Sequence, residues 1–328
     1  MKRKFKFLTT AVTAATVALS SAAGAQEYPT RAVMTVVQMA PGGPTDLIVR
    51  LVQQKMSEEL GQTVVVENRA GAGGLIGLRH VLTAAADGYT LGVASGTSHG
   101  VAPNIYTNLP YNPEKDFRAV GALVVAPGVL ITSKKATPDC KFKTFIEKLK
   151  KSPGEMKYGS AGTGTLAQLT GAYFLAETDT EMIHIPYRGL GPALNDLYGG
   201  SIDAVFNNIS SAKSHIASGK VCALAVQSPQ RLPQFPDIPT YAELDLPQLN
   251  KPTWYGLIAR ADTPDAVVIR LNKALNAALN SKDVRTAYGN LGVEPIPGTP
   301  EQMTQIIRDE NIYWRDVIKK IKFEKMKL

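Results

Sequence analysis

Cysteine is nearly missing from this sequence: only Cys140 and Cys222 occur in 328 residues. Neither belongs to a CxxC pair or stands at metal-ligand spacing from one of the four histidines, so zinc binding and thiol redox catalysis find no support. No cysteine follows the N-terminal apolar stretch and no twin arginine precedes it, so neither lipid attachment nor export in the folded state is indicated. Beyond that stretch the chain holds no apolar run long enough to cross a bilayer. A basic body is also missing. The formal charge is +8, but the first 25 residues carry +4 and the segment from Lys319 to Leu328 another +4, leaving the rest near neutrality. Phosphate-backbone binding needs a basic face, which excludes nucleic acid as a partner. The Lys-rich end reads as a solvated helix terminus.

What is present begins with a secretory pattern. Met1-Lys2-Arg3-Lys4-Phe5-Lys6 precedes a Thr/Ala/Val stretch from Leu8 to Ala22 and the small triplet Ala23-Gly24-Ala25. A signal peptide over residues 1–25, cleaved near Ala25, places the mature protein in the periplasm. A retained anchor fits less well, because the stretch is short and carries several Thr and Ser. In an oxidising compartment, Cys140 and Cys222 can form a disulfide or remain two separate buried thiols, and both alternatives stay open. About 300 residues remain, more than one core usually serves, which suggests two domains of about 150 each.

Strand-like and helical runs alternate along this length. A strand over 32–39 is followed by a helix over 47–60, with Leu47, Ile48, Leu51, Val52, Met56 and Leu60 on one face and Gly61 as its stop. Strands at 63–67 and 89–95 enclose a further helix after Gly74, a βαβ pattern that implies a parallel sheet. The alternation restarts with strands near 129–133, 156–159, 182–186, 203–207 and 221–227, giving a second parallel sheet. A Pro-rich segment over 229–252 interrupts it, and the run Trp254 to Ala259 predicts a strand returning to the first domain. Two closing helices are expected, from Thr263-Pro264 and from the capping box Thr299-Pro300-Glu301-Gln302. Domain 1 would therefore be discontinuous (26–124 and 252–328) around domain 2 (125–251). Two crossings make a hinge, and a hinged cleft is where small ligands bind.

Several motifs have rival readings. Gly71-Ala72-Gly73-Gly74-Leu75-Ile76-Gly77 has the GxG of a dinucleotide turn without its third Gly, so close helix–sheet packing is preferred and no cofactor is expected. Gly159 to Thr165 has phosphate-loop glycines without the lysine. Its backbone amides, with Thr165 and Gln168 as a capping box, still favour an anion such as a carboxylate at a helix N-terminus. Ala40-Pro41-Gly42-Gly43-Pro44-Thr45-Asp46 is built alike, and two such termini facing each other could hold the two ends of one dianion. Gly96-Thr97-Ser98-His99-Gly100 fits GxSxG after a strand, which makes a secreted serine hydrolase using Ser98 the alternative function. Gly100 and Pro103 weigh against the helix such an elbow must launch.

Along nearly all of its mature length the chain resembles the Bug-type solute receptors of tripartite tricarboxylate transporters. The segments that carry the resemblance are Tyr28-Pro29 with Arg31, Pro41 to Asp46, Val66-Glu67-Asn68-Arg69, Asp87 to Leu91, Leu109-Pro110-Tyr111, Asp116-Phe117, Tyr158 to Gly162, Pro186-Tyr187-Arg188-Gly189 and Asp237-Ile238-Pro239-Thr240. The resemblance implies a periplasmic-binding-protein-like α/β fold, two parallel-sheet domains joined by a hinge, no catalysis, and a monomer that delivers a small carboxylate to integral membrane transporter subunits. It implies a ligand held by Gly42, Gly43, Pro44 and Thr45, by Ser95 and Thr97 in a hydroxyl-rich third loop, and by Ser160, Ala161, Thr163, Gly164 and Thr165. Tyr187, Arg188 and Asn207 complete the implied set. Where many relatives read Phe-Asp-Asn, this chain reads Phe206-Asn207-Asn208. Losing that carboxylate disfavours an amino-acid ligand and points to a non-amino mono- or dicarboxylate.

Overall fold

The computed structural model describes residues 28–328, so the expected signal peptide lies outside the described residues. The first sheet begins with β1 (Val33–Val37), α1 (Pro44–Leu60), β2 (Val64–Asn68), α2 (Leu75–Thr83) and β3 (Thr90–Ser95). β1 pairs in parallel with both β2 and β3. In α1 the apolar stripe Ile48, Val49, Val52, Met56 and Leu60 is buried, and Gly61 ends the helix in the left-handed region at φ 72°. A turn at Gly96–Val101 leads into the short α3 (Ala102–Ile105). The strand β4 (Phe117–Ala126), unread in the sequence, then runs directly into β5 (Gly128–Ser133) of the second sheet.

The second sheet continues through α4 (Phe142–Lys151), β6 (Lys157–Ser160), α5 (Leu166–Thr178), β7 (Ile183–Pro186), α6 (Leu190–Gly199), β8 (Ala204–Asn208), α7 (Ile209–Ala217) and β9 (Val221–Gln227). β10 (Thr253–Arg260) brings the chain back to the first sheet, as the sequence pattern predicts. α8 (Asp265–Asn280), α9 (Lys282–Leu291), β11 (Glu294–Pro295) and α10 (Pro300–Lys320) close it. The sheet orders are β11-β4-β10-β3-β1-β2 and β7-β6-β8-β5-β9.

Both sheets are mixed rather than wholly parallel. β10 is antiparallel to β3 and β4, and β5 is antiparallel to β8 and β9. The cause is the pair of crossings: β5 and β10 start at the boundary between the sheets, whereas β1, β3, β4, β6, β8 and β9 end there. Those carboxyl ends converge on one cleft, where open α/β sheets bind ligands.

Three further details differ from the sequence reading. Ser281 caps α9 by accepting the Val284 amide, which splits the first expected closing helix in two. The Thr299–Gln302 capping box forms, whereas Pro264 rather than Thr263 occupies the α8 cap position. The lysines of the C-terminal end are exposed as expected, but the chain beyond α10 folds back: the Met326 amide donates to the Ile105 carbonyl at 2.8 Å and the Thr107 amide to the Met326 carbonyl at 3.0 Å. α10 serves both halves, since Met303 and Ile307 pack beneath Trp254 and Ile258 while Trp314, Val317 and Ile318 join Phe145, Tyr158 and Phe174. Cys140 and Cys222 are joined by a disulfide with Cα atoms 4.9 Å apart.

Candidate functional site: a cleft between the two sheets

The first wall is the turn between β1 and α1. No side chain caps α1 and Pro44 has no amide, so the Thr45 and Asp46 amides have no intrahelical partner, and Gly43, Pro44 and Thr45 line the cleft. Asp46, buried in the first helical turn, braces this turn from below. Its carboxylate accepts the Gly42 amide at 3.0 Å, Arg50 Nε at 2.9 Å and Asn68 Nδ2 at 2.9 Å. Burial opposes ionisation of Asp46, but these bonds outweigh it and hold its carboxyl below the usual carboxylate range.

The second wall is the turn after β3. Ser95 and Ser98 cap it reciprocally, and the Thr97 hydroxyl reaches across the cleft to accept the Leu166 amide at 3.0 Å. Helical structure therefore does follow Ser98, contrary to the expectation from Gly100 and Pro103, because Pro103 falls in the first turn of α3 where no amide is needed. Ser98 is still no nucleophile elbow. It is buried and does not line the cleft. Its hydroxyl lies 2.8 Å from His99 Nδ1, but desolvation drives the His99 pKa down to about 3, and His99 Nε2 has no partner to orient the ring.

The third wall belongs to the second sheet. In the loop after β6, the Gly162 amide donates to Ser160 Oγ at 3.2 Å, the Gly164 amide to Gln168 Oε1 at 2.7 Å, and Thr165 Oγ1 to the Gly162 carbonyl at 2.6 Å. The expected capping box with Thr165 does not form, and Thr97 caps α5 instead. Gly164 adopts φ 74°, and a Cβ there would overlap the Tyr106 hydroxyl, so the position is held by glycine. Ser160 is wholly buried with its Oγ 2.6 Å from His184 Nε2, and desolvation lowers the His184 pKa to about 4.

At the end of β8, Asn207 is fixed by two bonds to its carbonyl oxygen, from the Asn208 amide at 2.7 Å and Ser211 Oγ at 2.8 Å. Its Nδ2 is consequently turned away as a donor, buried and without a partner. Asn208 Nδ2 donates to the Tyr255 hydroxyl at 3.1 Å across the two sheets.

Of the residues singled out in the sequence, Gly43, Pro44, Thr45, Ser95, Thr97, Ala161, Thr165 and Asn207 line this cleft. Thr163, Tyr187 and Arg188 instead line an adjoining groove with Gly73 and Leu328, Ser160 and Gly164 are buried behind the surface, and Gly42 is exposed without lining the cleft. Tyr187 donates to Asp196 Oδ2 at 2.6 Å, and burial followed by that carboxylate pushes its pKa up to about 12. The Gly71–Gly77 turn is a packing device: a Cβ at Gly77 would sit 2.9 Å from the Gln38 Cα and the Arg69 carbonyl.

Sequence reasoning missed Thr253 and Tyr255 on β10, and Lys251, Glu310, Tyr313 and Trp314. One signal was there to read. Met303, Ile307, Glu310, Trp314 and Val317 form a single helical stripe, and Glu310 is the one carboxylate in it.

Two α/β sheets crossed twice by the chain, with strand ends meeting at a cleft walled by hydroxyls, amides and a free helix terminus, define a two-lobed solute-binding receptor. Residues 48–323 match the family described as Tripartite tricarboxylate transporter family receptor, and the chain belongs to it. It is 36% identical over 306 residues to Protein BugT of Bordetella pertussis, covering 93% of this chain and 94% of that one. It is 37% identical to a protein of Pseudomonas sp. (strain P51) encoded between tcbD and tcbE, over 89% of this chain and 86% of that one. Among solved structures, a periplasmic transporter superposes with TM-score 0.88 at 41% identity, over 91% of this chain and 100% of that one. MatC of Rhodopseudomonas palustris with bound malate gives 0.85 at 33%, over 89% and 100%. An R. palustris protein with adipate gives 0.87 at 30%, over 92% and 100%. Members of this family are periplasmic binding proteins, so the chain is a receptor and not an enzyme, and the hydrolase alternative falls.

Proposed function

We propose that this receptor is exported by its N-terminal signal, cleaved near Ala25, and works in the periplasm as a monomer. There it captures a small carboxylate and delivers it to integral membrane transporter subunits, with no role in nucleic-acid binding. The observation that carries the ligand class is Asn207. With both of its oxygen's bonds spoken for, it presents a buried Nδ2 donor into the same cleft as the uncapped α1 terminus and the unpartnered Thr253 hydroxyl. A donor-rich pole beside a helix N-terminus suits an anion better than an ammonium group. Malate and adipate in two similar proteins support the same class.

A thermal-shift screen of carboxylates, sugars and amino acids on refolded, ligand-stripped protein tests this. A carboxylate at one hundred times its Kd stabilises the fold by about 2.7 kcal/mol. A sugar or a zwitterionic amino acid raising Tm while every simple carboxylate fails overturns the reading.

A further inference from the structure

The cleft has two unlike ends. Thr45, Asn207 and the free α1 amides form the donor pole. One stretch of the remaining wall is apolar and largely aromatic, formed by Tyr173, Phe206, Leu249, Pro252, Tyr313 and Trp314, while neutral hydroxyls and amides such as Ser95, Thr97, Thr170 and Gln227 line the rest. Behind the lining, Gly96 lets Thr253, Leu166 and Glu310 close in: a Cβ there would lie 3.1 Å from both Thr253 Oγ1 and Leu166 Cδ2 and 3.0 Å from Glu310 Oε1.

Charge in the lining is sparse and already neutralised. Among the described residues that line the cleft, Lys251 is the single cation and Glu310 the single anion. Lys251 Nζ lies 2.7 Å from Glu310 Oε2 and 4.0 Å from the centre of the Tyr313 ring, and Glu310 Oε1 accepts Trp314 Nε1 at 2.8 Å. The Glu310 side chain is 4% exposed. A second ligand carboxylate would therefore meet a cation already paired with a buried carboxylate, aromatic walls, or neutral hydroxyls and amides, none of which supplies a free counter-charge, and burying an unpaired charge is heavily disfavoured. A ring meets the opposite situation, since Tyr, Phe and Trp faces and edges offer area and quadrupole contacts to a planar apolar body.

We propose, on the carboxylate-receptor reading above, that the ligand is a monocarboxylate carried on an apolar ring. Its carboxylate sits at the Thr45–Asn207 pole and its ring lies between Tyr173, Leu249 and Tyr313. Lys251 and Glu310 act as a closed ion pair that shapes the ring end and turns away polycarboxylates.

Isothermal titration of ligand-stripped protein with benzoate, cyclohexanecarboxylate, hexanoate, succinate, adipate and citrate decides it. The two ring acids are expected to bind at least tenfold tighter than succinate, adipate and citrate, with hexanoate between. Leu249→Asn, which places an amide against the ring, is expected to cost the ring acids about tenfold and the dicarboxylates less than twofold. Independently of any variant, bound benzoate is expected to alter the tryptophan emission of the wild-type protein, through Trp314 beside the ring, more than succinate does at equal saturation. Succinate, adipate or citrate binding tightest overturns this proposal while leaving the carboxylate receptor standing. Ring acids binding tightest with neither the Leu249→Asn loss nor the emission difference overturns the placement of the ring. Failure of all six acids overturns the carboxylate reading of the site.

Discussion

The two Gly-rich turns, Ala40 to Asp46 and Gly159 to Thr165, look interchangeable as sequence and do opposite jobs in the fold. Both follow a strand, both precede a helix, and neither helix is capped by its own N-cap side chain. The first turn spends the Gly42 amide on Asp46 beneath it and the Gly43 amide on the Ala40 carbonyl, and leaves its helix uncapped beside the cleft. The second closes on itself, with the Gly162, Gly164 and Leu166 amides donated to Ser160, Gln168 and Thr97. A glycine pattern thus announces a turn that can bind an anion, but side chains elsewhere decide whether its amides remain available. On this account the ligand's carboxylate belongs to the first turn and Asn207, and no dianion bridges both loops.

The contrast can be broken in graded steps. The largest effect concerns stability remote from the cleft. Cys140 and Cys222 are 82 residues apart, so reducing them, or Cys140→Ser with Cys222→Ser, is expected to cost about 4.5 kcal/mol in the chain-entropy model while leaving affinity unchanged. Denaturant melts with and without reductant measure the first, and titration of the reduced protein the second.

Next is acid. A neutral histidine backs each side, the buried His99 behind the β3 turn and the half-buried His184 behind Ser160, with pKa values lowered by desolvation to about 3 and about 4. The unfolded chain takes up protons near pH 6.5 that the folded chain refuses, so the contribution is present above that pH and is lost as pH falls toward the folded values. Each fully buried site adds a slope approaching about 1.4 kcal/mol per pH unit below 6.5, less for the partly exposed His184. Tm measured from pH 7 to pH 4 is expected to flatten more in His99→Gln than in His184→Gln.

Asp46→Ala follows, expected to cost about 2 kcal/mol by stripping partners from Gly42, Asn68 and Arg50. Unlike the disulfide, it should also weaken ligand binding, because it loosens the turn that presents the α1 terminus. Equal affinity in this variant would mean that the brace is merely structural. Smallest is Thr97→Val, which removes the hydroxyl that caps α5 across the cleft and should cost about 1 kcal/mol.

The sequence made the architecture legible wherever one periodic run maps to one element: the α1 stripe ending at Gly61, the βαβ alternation, the return of β10 and the Thr299 box. It concealed β4, whose residues 117–126 continue almost directly into β5 with Pro127 alone between them, so the Pro127-Gly128 signal marks a change of sheet rather than a loop between elements. The mixed sheets followed from that omission, because strand direction depends on where a crossing enters. At the site, loops adjacent in sequence were readable, but Lys251, Thr253, Tyr255 and Glu310 arrive from distant elements and carry no local motif. Residues such as Ser160 and Gly164 look exposed by composition and are covered only once Tyr106, His184 and Gln168 pack around them.

The most direct test of this asymmetry is isothermal titration of two single variants with the acid that gives the largest thermal shift. Asn207→Asp replaces the donor aimed at the ligand by a like charge and is expected to weaken binding at least about a hundredfold, a loss of about 2.7 kcal/mol. Thr163→Val, in the self-satisfied turn, is expected to change Kd less than twofold. A hundredfold loss in Thr163→Val with Asn207→Asp unaffected would contradict the account and return the carboxylate to the second Gly-rich loop.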